Sequence, residues 1–151
     1  MEYGFQKFKS LSIFFLFFIG LAFSASMVVA LSHPDPALEQ STNKGGVRIS
    51  ARYYPPQQDQ VEETSFSLTL STHYVDLKQY DIQSLAFLKV DEKVIQPAIR
   101  WVASDDNNHH IHGVLSFPAQ ELEGTQTVQL TIKNIGDASD RIFEWHAPAL
   151  K

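Results

Sequence analysis

"TSFSLTLSTH", residues 64–73, alternates Phe66, Leu68 and Leu70 with Ser65, Ser67, Thr69 and Ser71. A strict period of two sends successive side chains to opposite faces, so this stretch reads as a β-strand with one face on a core and one in solvent. The same parity sends His73 to the outer face.

The pattern repeats on both sides. "VRISARYY" (47–54) sets Val47, Ile49, Ala51 and Tyr53 against Arg48, Ser50 and Arg52, and Pro55-Pro56 stops it because proline donates nothing to a ladder. "VDLKQYDIQ" (75–83) reads as a connector with one helical turn. "SLAFLKV" (84–90) is a strand that Asp91-Glu92 turns into "KVIQ" (93–96). "AIRWVA" (98–103) places Ile99, Trp101 and Ala103 on one side, and "SDDNN" (104–108) has the composition of a loop. "IHGVLSF" (111–117), "TQTVQLTIKN" (125–134) and "RIFEW" (141–145) complete the set. No long amphipathic segment alternates with these strands, which argues against an α/β fold. About 7–8 short strands separated by turn signals predict an all-β domain, an antiparallel immunoglobulin-like or cupredoxin-like β-sandwich over residues 47–148. A small closed barrel is the alternative. Trp101, Phe117, Phe143 and Trp145 are the expected aromatic core.

Ahead of the domain, Lys7 and Lys9 precede "LSIFFLFFIGLAFSASMVVALS" (11–32), which carries no charge. A basic start, an apolar run and small residues at its end describe an export segment, residues 1–30, either a cleaved signal peptide or a signal anchor. The run also reaches the roughly 20 residues that a membrane span needs. The lysines stay inside under either reading, and the remainder is expected outside the cytoplasm, periplasmic or extracellular. Residues 31–46, rich in Pro, Gly and polar side chains, read as a linker.

Composition removes several classes of function. The chain has no cysteine, which excludes disulfides, thiol nucleophiles, thiolate metal ligands and a lipidated cysteine. Its net charge is −5; cleavage after Ala30 removes Glu2, Lys7 and Lys9 and leaves 10 basic and 16 acidic residues, net −6. An acidic chain without a basic stripe is no nucleic-acid binder, and it contacts a membrane only through the N-terminal segment, if that segment is uncleaved. Neither a G-x-S-x-G elbow nor a paired-carboxylate signature is present, so no enzyme activity is expected; a three-histidine hydrolytic zinc site with an open position is the enzyme alternative.

"NNHHIHG" (107–113) holds three of the six histidines. If Ile111, Leu115 and Phe117 point inward, His110 and His112 lie together on the outer face, with Cα atoms roughly 7 Å apart. Imidazoles at that spacing can converge on one cation, and neutral imidazole suits copper, zinc and nickel. His109 at the loop end and His73 at a strand end are further candidate ligands, and Asp76, Asp105 and Asp106 are candidate oxygen ligands or acceptors for imidazole N–H groups. His146, by parity with Phe143 and Trp145, faces outward. The plain alternative is a solvated, histidine-rich loop. Cleavage after Ala30 would also start the mature chain at Leu31-Ser32-His33, an amine, amide and imidazole set that suits copper(II) or nickel(II).

"STHYVDL" (71–77), "YDI" (80–82), Trp101, "HH" (109–110), "GVLSF" (113–117) and "RIFEW" (141–145) together resemble an uncharacterised family of small exported bacterial and archaeal domains. That family has a T-H-x-V-D-L segment and a His-His pair before G-x-L-x-F. The resemblance covers most of residues 47–146 and implies an exported β-sandwich; it carries no activity over. Its positions here are Thr72, His73, Asp76, Trp101, His109, His110, Gly113 and Trp145. The family commonly has a basic residue after the histidine pair, where this chain has Ile111. His112 is thus particular to this chain, and the resemblance favours His73 with His109 and His110.

Two functions follow as expectations. One is a non-catalytic exported module that binds copper or zinc through His73, His109, His110, His112 and Asp76. A blue-copper electron-transfer centre is excluded, since it needs a thiolate. The other is a cofactor-free domain that holds a protein partner in the cell envelope.

Overall fold

In the computed structural model the described residues are 35–55, 63–93, 96–120, 124–147 and 150. The export segment read at 1–30 lies outside them. Among the described residues no helix is long and apolar enough to cross a membrane.

Among the described residues, nine strands form two antiparallel sheets. They are β1 (Glu39–Lys44), β2 (Val47–Tyr54), β3 (Glu63–Thr72), β4 (Ala86–Val90), β5 (Gln96–Pro97), β6 (Arg100–Asp106), β7 (His110–Pro118), β8 (Thr127–Ile132) and β9 (Arg141–His146). One sheet runs β1-β2-β3-β7-β6, the other β5-β4-β8-β9. The connector after β3 holds a 3-10 turn at Leu77–Gln79 and one helical turn, α1 (Ile82–Leu85), started by the Asp76 and Asp81 carboxylates, which accept from Lys78 N and Ser84 N.

Register explains the core. Ile49, Leu70 and Ile111 stand side by side across β2, β3 and β7; so do Tyr53, Phe66 and Leu115. In the second sheet Leu88, Leu130 and Phe143 form one inner row, and Val90, Val128 and Trp145 the next. The two inner faces meet through Trp145, whose ring centroid lies 5.2 Å from Phe66 and 5.9 Å from Tyr53. Phe117 closes edge-on against Phe66 at 5.8 Å. This is a β-sandwich, not a closed barrel.

Three expectations need correction. Residues 39–44, read as part of a linker, are strand β1. "EQSTNK" has no apolar alternation and is largely exposed. What makes it a strand is Gly45-Gly46, with φ of 53° and 69°, the two positive values that a tight hairpin demands. The Gln40 side chain then bridges to the other sheet: its amide donates to Glu144 O (2.5 Å) and accepts from Glu144 N (3.2 Å), in place of a strand beside β9. Trp101 is only half buried, unlike Phe117, Phe143 and Trp145. It sits on β6, an edge strand whose inward side lies at the rim of the core. Finally, β6 runs on through Asp106, so the expected loop 104–108 shrinks to 107–109.

The β5 and β6 edges are guarded against pairing with another chain. β5 has two residues, one of them proline; β6 carries a bulge between Ala103 and Asp105.

Tyr53 is fully buried, and no partner for its hydroxyl is found among the described residues. Burial pushes its pKa up to about 12. A group whose folded pKa is raised contributes stability that is intact below the unfolded value near 10 and is lost as pH rises towards the folded one. Urea unfolding should therefore show stability falling between about pH 10 and 12 by roughly 1.4 kcal/mol per pH unit. In Tyr53→Phe that part of the decline should vanish.

Candidate functional site: a histidine-bearing loop end

Four connections meet at one end of the sandwich: the Gly45-Gly46 turn, the connector from 73, the 107–109 turn and the 133–140 loop. Thr72 ties the first three. Its hydroxyl donates to Gly46 O (2.9 Å) and its amide to His109 O (3.0 Å). Leu77 N donates to Asn108 O (2.8 Å), and Gly136 N donates to the Tyr80 hydroxyl (3.0 Å). Gly45 and Gly136 approach so closely that a Cβ on Gly45 would stand 1.7 Å from Gly136 O.

Arg141 locks this end from below. It occupies an inner position of β9 and is fully buried. Its Nη1 donates to Ile135 O (2.7 Å) and its Nη2 to Lys44 O (2.6 Å). Burial lowers its pKa from the ordinary guanidinium value, with Tyr80 acting in the opposite direction.

The candidate metal residues divide into two groups. His73, His109 and Asp76 belong to the loop end. Asn107 shapes the turn, its side-chain oxygen accepting from both His109 N (3.0 Å) and His110 N (2.6 Å). His109 Nδ1 lies 3.1 Å from Val75 O; a carbonyl only accepts, so Nδ1 carries the proton and neutral His109 keeps a bare Nε2. The Asp76 carboxylate is already engaged in starting the Leu77–Gln79 turn.

His110 and His112 lie on the outer face of the five-stranded sheet, as parity requires. His112 Nδ1 is 2.9 Å from the Thr69 hydroxyl. His110 Nε2 is 3.8 Å from Asp105 Oδ2. Asp105 reaches this place because of the bulge: Ala103 pairs with Gly113, yet Asp105, not Ser104, pairs with His112. Asp106 lies 4.0 Å from Lys78 Nζ instead. His146 stands apart on the other sheet, its Nε2 3.0 Å from Glu144 Oε1. Among the described residues, no three histidine or acidic side chains are gathered so as to hold a metal ion.

Gly113 has a structural part. A Cβ there would lie 2.5 Å from Val102 O and 2.7 Å from the Trp101 ring, which covers it. The backbone oxygen cannot yield as a side chain can. Gly113→Ala should therefore destabilise by about 1–3 kcal/mol, the range for overpacking, read as a fall in melting temperature. Trp101→Ala in the same chain should relieve part of the loss.

The sequence reading missed the surface beside His112. A groove of about 250 Å³ crosses the outer face there, bordered by Glu39, Arg52, Tyr54 and His112. The alternating serines and threonines of β3 were visible in the sequence, but nothing local shows which strands flank them. No protein-family model, no curated protein and no solved structure matches this chain.

Proposed function

We propose that this chain is an exported, non-catalytic β-sandwich module of the immunoglobulin-like kind, which holds a protein partner in the cell envelope through its loop end. The strand order carries the reading. With β1 set aside as an added edge strand, β2-β3-β7-β6 and β5-β4-β8-β9 correspond to A-B-E-D and C′-C-F-G of an immunoglobulin-like sandwich. The B–C and F–G loops, which carry recognition in variable domains of that fold, correspond here to the connector from 73 and to the 133–140 loop. The step from that correspondence to binding is fold analogy. Export rests on the uncharged run at 11–32 behind Lys7 and Lys9.

The test is site-specific photo-crosslinking in cells. Tyr74 is 73% exposed at the loop end, and Ile142 is 58% exposed on the outer face of the second sheet. A crosslinker at 74 should give one discrete adduct that a crosslinker at 142 does not. Equal labelling from both positions, or none, rejects the reading. A C-terminal reporter that is active only in the cytoplasm would reject export.

A second reading, binding of copper or zinc, is favoured by the bulge in β6, which sets Asp105 on one face with His110 and His112. An ion would draw the three side chains together. Metal bound only by the native state raises the melting temperature, by RT ln(1 + [L]/Kd) in free energy. Copper(II) or zinc(II) should raise it in the full chain carrying His33→Ala. Adding His110→Ala with His112→Ala should remove the rise, and His146→Ala should not. No rise with either ion rejects this reading.

A further inference from the structure

The outer face of the five-stranded sheet has a relief that its core-facing side does not require. Register places Ser41, Ser50, Thr69, His112 and Asp105 in one row across all five strands, and Glu39, Arg52, Ser67, Val114 and Val102 in the next. Short hydroxyl side chains thus fill the middle of the face, while longer ones stand around them. The result is the groove of about 250 Å³ floored by Ser50, Ser67 and Thr69.

From this groove we infer a second binding site, one for a neutral oligosaccharide. Its charge is already balanced: Arg52 Nη2 lies 3.2 Å from Glu39 Oε2. A phosphate or carboxylate ligand would meet no free cation among these wall residues, and His112 is the one imidazole among them. What remains is a set of hydroxyls, each able to donate and to accept. A polyol has the same dual character and can satisfy them in either sense. The His112–Thr69 contact and the Arg52–Glu39 pair hold polar groups in place before any ligand arrives, which limits the ordering penalty of binding. Tyr54, 48% exposed, supplies an apolar ring face with a polar tip, suited to the C–H face of a sugar ring. The groove draws its walls from β1, β2, β3 and β7, so an extended chain has a rigid floor to lie across. This face is separate from the loop end, and the site does not depend on the partner-binding reading.

The test is calorimetric titration of the full chain, held in a detergent without sugar headgroups. The probes are a soluble cello-oligosaccharide and a soluble chito-oligosaccharide. At least one should bind. Tyr54→Ala should weaken binding about tenfold, Tyr54→Phe should restore most of it, and Ile142→Ala on the opposite sheet should change nothing. Circular dichroism of Tyr54→Ala should match the parent, since the residue is outside the core. If neither probe binds, or if binding survives Tyr54→Ala unchanged, the inference is wrong. An extended peptide that binds where both saccharides fail would overturn it in favour of a protein ligand.

Discussion

Trp145→Ala should remove a large share of the domain's stability, about 3–5 kcal/mol, and lower its urea midpoint sharply. Trp145 is 1% exposed and touches both sheets: Tyr53 and Phe66 lie across from it, and Phe143 beside it at 6.5 Å. Its Nε1 also donates to Leu38 O at 3.0 Å, which fixes the chain just ahead of β1. Removing a buried indole typically loses about 3–5 kcal/mol, through lost transfer energy and the cavity left behind. A domain of this size holds only about 5–15 kcal/mol in all. Urea denaturation of parent and variant measures the difference directly. Trp145→Phe should lose less, because it keeps a ring in the core and gives up mainly the bond to Leu38. An unchanged urea midpoint for Trp145→Ala would mean that this residue does not join the sheets.

A loss of similar size is expected from Arg141→Met, by a different route. Methionine keeps much of the volume but leaves Ile135 O and Lys44 O without their donor, and the weaker contact to Val47 O at 3.5 Å goes as well. Hydrogen bonds to charged groups contribute about 1.5–3 kcal/mol each, so the two short ones put the loss at about 3–6 kcal/mol. Part is recovered, because the buried guanidinium has carbonyls rather than a carboxylate for company, and no partner for Nε is found among the described residues. The damage should concentrate at the loop end. Amide exchange at Gly45 and Gly136 should accelerate more than exchange at Leu68 or Leu130. Uniform acceleration would show that Arg141 serves the whole core and does not act as a local lock. Arg141→Lys should rescue little, since one ammonium lacks the planar fork that spans both carbonyls.

Much of the architecture was legible along the chain. Alternation in 64–72 identified a strand whose Phe66, Leu68 and Leu70 are fully buried, and the same parity correctly set Ile111 inside and His110, His112 and His146 outside. Such readings succeed because the faces of a strand are set by neighbours two residues apart. Trp101 was misjudged because its parity is right but its strand is an edge, and edge status depends on what lies alongside. Arg141 was passed over because a charged residue at an inner position carries no local sign of the carbonyls that will receive it.

The histidine cluster shows where that boundary falls. From the sequence alone, His109, His110 and His112 are close in number, and together with His73 they share the chemistry of a transition-metal site. The fold separates them, sending two to the loop end and two to the sheet face. His109 lies in the 107–109 turn with its ring against Val75 O, whereas His110 opens β7 opposite Ser71. The bulge that brings Asp105 beside His110 and His112 is a mismatch between two strands, so neither strand encodes it by itself. Composition and periodicity determined the class of fold and the inward faces, and the lack of cysteine excludes disulfides and thiolate ligands. Strand order, edges and the pairing of polar groups across the sheets were decided by contacts between residues far apart in the chain, such as Gln40 with Glu144 and Lys44 with Arg141, and no local pattern carries those.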